Sequence, residues 1–330
     1  MRKQQGIMLI LPALLVMGLF TVYPMFEGLR IAFTNSNLLK ERWSYIGFQN
    51  FIRLLSDDVF WISLYHSVLL TTVVVFLQFV LGLILALAMN QKLPGMALFK
   101  SVIMASWVIP VAATVILFKF MAQPDIGLIN IIIRSLGFED LNRYWLGDPD
   151  AALPFIMLLH LWRNVPFYGV AFLAAMQAIP KTLYEAADMD GANAWNKFRY
   201  IMLLHLWRNV PFYGVAFLAA MQAIPKTLYE AADIDGANSW YKFYYITLPG
   251  IRSMVIVMVT IHVLWTFNNF DFVYLATGGG PVNATDVLPV YVYRQCWSSY
   301  TVGYGASIGT VMLLLLMLYF IAFIKISERE

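Results

Sequence analysis

Long apolar runs set the rhythm of this chain. Residues 7–26, 67–89, 101–121, 253–273 and 306–324 are almost unbroken apolar stretches, each long enough for a helix to cross a hydrocarbon core of about 30 Å. Residues 156–178 and 201–223 are apolar too. Each of these holds His, Arg, Asn, Pro and Gln, which are His160, Arg163, Asn164, Pro166 and Gln177 in the first, so they predict weaker spans. The pattern predicts an all-α polytopic membrane protein. Composition agrees: hydrophobic residues make up 61% of the chain and charged residues 12%, about half the charged share of a soluble domain.

Charge placement predicts orientation. Arg2 and Lys3 precede the first run, and Lys92 and Lys100 frame a short loop without acids; basic short loops mark the cytoplasmic side. The segment 27–66 mixes both signs and reads as external, as does 122–153, with Glu139, Asp140, Asp148 and Asp150. Residues 46–55 have the spacing of a short amphipathic helix at the outer interface. Residues 1–66 thus form an anchor helix and external loop, and 67–330 the membrane core. No small-x-small cleavage site follows the first run, so it predicts a retained anchor. Cys296 is the only cysteine, which excludes an intrachain disulfide and a thiolate metal cage. Neither a metal site nor nucleic-acid binding is expected.

Residues 201–245 repeat 156–200 with four differences: Met189/Ile234, Ala194/Ser239, Asn196/Tyr241 and Arg199/Tyr244. Two near-identical units are too few for a solenoid and read as a tandem duplication. Each copy carries Glu-Ala-Ala-Asp-x-Asp-Gly-Ala. The first supplies Glu185, Asp188, Asp190 and Gly191; the second supplies Glu230, Ala231, Ala232, Asp233, Asp235, Gly236 and Ala237. Glu-Ala-Ala favours helix, the alanines permit close approach of another protein, and the glycine permits a sharp turn into a second helix.

This second string, followed by Phe243, Ile246 and Leu248-Pro249-Gly250, resembles the coupling loop of binding-protein-dependent ABC importer permeases. Residues 265–271 (Trp-Thr-Phe-Asn-Asn-Phe-Asp), 277–281 (Thr-Gly-Gly-Gly-Pro) and 47–51 (Gly-Phe-Gln-Asn-Phe) resemble carbohydrate-importer permeases of the maltose and glycerol-phosphate type. Removing one copy leaves 330 − 45 = 285 residues, which suits such a permease. The resemblance implies six family transmembrane helices plus one duplicated hydrophobic segment, in a bacterial or archaeal cytoplasmic membrane. It also implies a second permease subunit, an ABC ATPase dimer and an extracytoplasmic sugar-binding protein as partners. The chain has no Gly-x-x-x-x-Gly-Lys-Ser/Thr loop, so ATP-Mg is expected on the partner ATPase.

Polar groups at membrane depth are costly and mark candidate substrate contacts. Asn268, Asn269 and Asp271, interleaved with Trp265, Phe270 and Tyr274, offer hydroxyl-binding groups beside aromatic faces. Arg208, Asn209 and Tyr213 form a second set in the repeated span. Gln78 is expected in a helix–helix hydrogen bond. Gly279, Gly280 and Pro281 form a turn expected to meet the binding protein. The duplication raises a parity problem, because one extra crossing inverts everything after it. The Leu-Pro after residue 245 favours Glu230–Ala237 as the coupling copy. The competing readings are a duplicated variant that fails to assemble and a stand-alone secondary transporter.

Overall fold

The computed structural model describes residues 2–91, 93–177 and 262–328 and, between them, Leu228, Ala232, Gly236, Tyr241 and Tyr245. The described residues are helical, with no strand among them beyond an isolated bridge between Thr34 and Tyr45. In chain order the helices are α1 (Arg2–Met17), α2 (Tyr23–Ala32), α3 (Gln49–Leu55), α4 (Asp58–Met89), α5 (Met96–Val108), α6 (Val111–Met121), α7 (Leu128–Ser135), α8 (Pro149–Gln177), α9 (Asp271–Ala276), α10 (Leu288–Tyr293) and α11 (Val302–Glu328). Among the described residues, three helical stretches, Ile10–Ala32, Asp58–Met89 and Val302–Phe323, are long and apolar enough to cross a membrane, and the bent α5–α6 pair passes the same test when its two helices are taken together. The first joins α1 to α2 through a π-helical turn at Gly18–Val22.

The chain divides into two compact units: residues 1–68 with 268–319, and residues 69–267 with 320–330. In the first unit, the loop after α2 pairs with the loop before α11. The Leu38 N–H donates to the Tyr300 carbonyl at 3.0 Å, and Gly303 N–H to Ser36 at 2.9 Å. Gly303 has no room for a side chain, because a Cβ there would strike the Thr34 carbonyl. These two loops therefore share one face of the membrane. The helix expected over 46–55 is α3. Its buried Asn50 donates to the carbonyls of Ala32 and Thr34, both at 2.8 Å, and so closes the end of α2, where four carbonyls lack helical partners.

In the second unit, α4 and α8 run in the same direction. Gln78 meets His160, Gly82 meets Tyr168, and Ala86 and Met89 pack with Phe172 and Leu173. Two glycines permit this closeness. A Cβ on Gly82 would lie 2.5 Å from that of Tyr168, and one on Gly169 would lie 2.7 Å from the Leu85 side chain. Small residues at such contacts are the usual basis of helix association in lipid, where no hydrophobic drive separates helix from solvent.

The apolar run 101–121 is not one straight helix. It bends by 99° between α5 and α6, where Pro110 lacks an N–H and holds Ile109 extended (φ −62°, ψ 132°). Both halves of the pair touch α8. Trp107 stacks on Phe167 with centroids 5.0 Å apart, and Phe118 packs edge-on against Trp162, also at 5.0 Å. The α8 helix carries Pro154 and Pro166 and, as its polar residues predict, falls short of the apolarity that marks the other spans.

Candidate functional site

Three groups of residues carry the chemistry. The first is a polar cluster within the second unit. The Gln78 amide donates from Nε2 to His160 Nδ1 at 3.1 Å, and its Oε1 accepts from His262 Nε2 at 3.3 Å. The Tyr168 hydroxyl lies within hydrogen-bond distance of both His262 ring nitrogens, 2.8 Å from Nδ1 and 2.5 Å from Nε2. Asn164 Nδ2 donates to the His160 carbonyl at 2.9 Å. Gln78 is 1% exposed and His160 6%. A glutamine with both ends of its amide engaged satisfies the rule that buried polar groups be paired. The expected helix–helix bond of Gln78 is present, and it reaches two helices.

Arg163 stands one turn from this cluster and serves the break in the α5–α6 pair. Its guanidinium donates to the Ile109 carbonyl from Nε at 3.3 Å and from Nη2 at 3.1 Å. Proline frees that part of the backbone, and an irregular backbone at membrane depth persists only where protein satisfies it. Arg163→Met is expected to lower thermal stability in detergent by about 1 kcal/mol, since removing the guanidinium also removes its burial cost. A melting curve unchanged from wild type would show that the carbonyl finds another donor.

The second group lies in the first unit. Residues 262–267 are helical, 268–270 are not, and α9 follows, so the apolar run 253–273 is interrupted at Asn268-Asn269. Asparagine side chains compete for backbone groups and weaken helix at such points. Asn268 and Asp271 are exposed and Asn269 is partly so. Trp265, from the other unit, is 62% exposed. Phe270 stacks on Tyr274 (4.7 Å, 18°), and Tyr293 meets both, at 5.2 Å and 4.6 Å. The place of Tyr293 in the aromatic cluster depends on α10 returning to α9.

The turn after α9 is built on a buried charge. Asp286 is fully buried and pairs with Arg294 Nη2 at 2.6 Å. The same Nη2 donates to Asn283 Oδ1 at 2.9 Å. Burial pushes the Asp286 carboxyl up to about 7, against the opposing pull of Arg294. Gly279 (φ +96°) is buried against this carboxylate, and a Cβ would lie 2.7 Å from it. Gly280 and Pro281 are half-buried. The residue displayed at the tip is Val282, 90% exposed and at φ +45°, an unusual conformation for a β-branched side chain.

The third group is the second copy's acidic-alanine string. Leu228 and Ala232 are helical, Gly236 turns at φ +69°, and Tyr241 is helical again. The exposed rings of Tyr241 and Tyr245 stack with centroids 5.7 Å apart and an interplanar angle of 15°. Position 196 of the first copy is Asn, so only the second copy has this aromatic pair. Glu230, Ala231, Asp233, Asp235 and Ala237 lie outside the described residues. So do Glu185, Asp188, Asp190 and Gly191, and Arg208, Asn209 and Tyr213.

Comparison with known proteins decides the family. The profile described as "binding-protein-dependent transport system inner membrane component" matches residues 78–210 and again 202–330. The chain belongs to this family. The permease protein YcjO of Escherichia coli (strain K12), an inner membrane ABC transporter permease, is 30% identical over 317 residues, covering 94% of this chain and 90% of that protein. The trehalose/maltose transport system permease protein MalF of Thermococcus litoralis is 27% identical over 323 residues, covering 98% and 93%. The sulfoquinovosyl glycerol transport system permease protein SmoG of Agrobacterium fabrum is 26% identical over 326 residues, covering 98% and 91%. A crystal structure of a bacterial ABC transporter that imports the acidic polysaccharide alginate shares the fold, with a TM-score of 0.69 at 20% identity over 99% of this chain and 96% of that one.

This member of the family is a multi-pass inner-membrane permease subunit. It is not catalytic itself, and the ATPase is a separate chain.

Proposed function

We propose that the chain forms the translocation path of an ATP-driven sugar importer and couples to its ATPase through Glu230–Ala237. The observation that carries this reading is the left-handed turn at Gly236 (φ +69°), with Leu228, Ala232 and Tyr241 helical and the rings of Tyr241 and Tyr245 exposed. Exposed rings beside a turn are suited to a groove on another protein, because aromatic side chains bring much contact area at low entropic cost. ATP-Mg is held by the partner ATPase dimer. A second permease subunit completes the path, and an extracytoplasmic binding protein delivers the sugar.

Sugar is the cargo class favoured by the residues at the break. Asn268, Asn269 and Asp271 supply groups for hydroxyls, and Phe270, Tyr274 and Trp265 supply faces for the apolar side of a ring. Arg208, Asn209 and Tyr213 are the second candidate set for sugar contact. At the outer turn, Gly279, Gly280 and Pro281 shape the binding-protein contact and Val282 is its exposed point. The test is co-expression with the ATPase, second permease and binding protein, followed by purification and ATP hydrolysis with and without sugars. Sugar-stimulated hydrolysis supports the reading. An assembled complex without stimulation favours an inactive duplicated variant, and failure to retain the ATPase overturns the proposal.

A further inference from the structure

The external stretch between α6 and α8 contains an element that transport and coupling leave unused. In α7 and its C-terminal cap, Leu128, Ile131, Ile132 and Leu136 recur at helical spacing on one side, and all four are exposed. Ile126 before them is 75% exposed and Phe138 after them 57%. The opposite side is anchored by a polar residue. Asn130 is fully buried, donates from Nδ2 to the carbonyls of Pro124 at 3.1 Å and Arg143 at 2.9 Å, and accepts from Trp145 Nε1 at 2.8 Å. Arg134 donates to the Asp125 carbonyl at 2.8 Å. The helix is thus fixed through its polar side and turns its aliphatic side outward, the reverse of a loop helix packed on a soluble core.

We propose that α7 lies in the outer leaflet of the membrane, with its aliphatic stripe among lipid acyl chains. Three observations select lipid as the occupant. The helix packs against α6, whose exposed Ile116, Leu117 and Phe120 face lipid in a membrane span, so the stripe continues an apolar surface already there. Lys119, in the last turn of α6, marks the depth at which that helix meets the headgroups. The stripe is aliphatic, without the Trp, Tyr and Arg that anchor protein interfaces, and the exposed acids Asp125, Glu139 and Asp140 lie off it. An amphipathic helix seated in this way binds in proportion to its buried apolar area. It fixes the height of the outer end of the bent α5–α6 pair.

The experiment uses the full chain in lipid nanodiscs, with Cys296→Ala to remove the native thiol. An environment-sensitive fluorophore is placed at Ile131→Cys, Ile132→Cys or, as the off-stripe reference, Glu139→Cys; Leu128→Cys serves if either isoleucine variant fails to fold. The expected result is blue-shifted emission at the stripe positions, quenched by lipids carrying a nitroxide just below the headgroup and shielded from aqueous iodide. The Glu139 position shows the opposite response. Iodide quenching at the stripe equal to that at position 139 overturns the proposal. So does shielding that appears only when the second permease or the binding protein is added, since the occupant is then a protein.

Discussion

Gly236→Pro is expected to abolish sugar-stimulated ATP hydrolysis in the assembled complex, while Gly191→Pro leaves it near the wild-type rate. Gly236 turns at φ +69°, and proline holds φ near −65°. The turn cannot form with proline in place, and a mismatch worth about 3 kcal/mol corresponds to more than a hundredfold loss of the competent loop. Gly236→Asn is expected to retain most activity, because asparagine tolerates the left-handed region better than other side chains. Co-purification of the ATPase with each variant separates lost coupling from lost assembly. Equal effects at 191 and 236 would remove the assignment of coupling to the second copy. Tyr241→Asn, which gives the second copy the residue of the first, should weaken coupling less than the proline, since the turn survives.

Asp57→Ala is expected to destabilise the first unit by about 2 kcal/mol in thermal unfolding by intrinsic fluorescence. Asp57 Oδ2 accepts from the hydroxyls of Tyr291, at 2.5 Å, and Tyr304. Its Oδ1 accepts from the N–H groups of Val59 and Phe60 at 3.0 and 3.2 Å, at the start of α4. Arg53 lies over the Tyr304 ring, 4.1 Å from its centroid. One carboxylate thus caps α4 and ties it to α10 and α11. Removing it strands several donors, and the cost stays moderate because Asp57 is only partly buried and water reaches the site.

The pH dependence of this tie has a definite sign. Burial pushes the Asp57 carboxyl up, but the two tyrosine hydroxyls and the two backbone N–H groups outweigh it and hold the group below its usual value of 3.8. A depressed carboxylate contributes stability that is complete above the unfolded value and is lost as pH falls through the folded one. The difference between wild type and Asp57→Ala should therefore shrink on acidification below 3.8. A difference that is constant across that range would show that the carboxylate charge is not what the tyrosines hold.

Much of the architecture was legible along the chain because it rests on local physics. A run of about twenty apolar residues is costly to leave in water and long enough to span lipid, so 67–89 and 306–324 declared themselves. The turn at Gly236 needed only a residue without a Cβ, and the helix over 49–55 needed only its spacing. The acidic-alanine string and the Gly-Gly-Gly-Pro turn were legible as motifs, which led to the family before any contact was known. Asn50 was visible as a motif member too, but its task of closing α2 depends on a carbonyl 18 positions away.

What the sequence determined by itself was the membrane class, the all-α character and the family signature, because each follows from periodicity and short-range stereochemistry. The tertiary structure decided the rest. The run 101–121 read as one span, whereas its 99° bend at Pro110 rests on the packing of Trp107 and Phe118 against α8 and on Arg163, 54 residues away. Gln78 announced a buried polar group, but its partners are 82 and 184 residues distant. Polar groups in a membrane must find donors and acceptors within the protein, since lipid offers none. That requirement is stated in the sequence, while the choice of partner is made only when the helices pack.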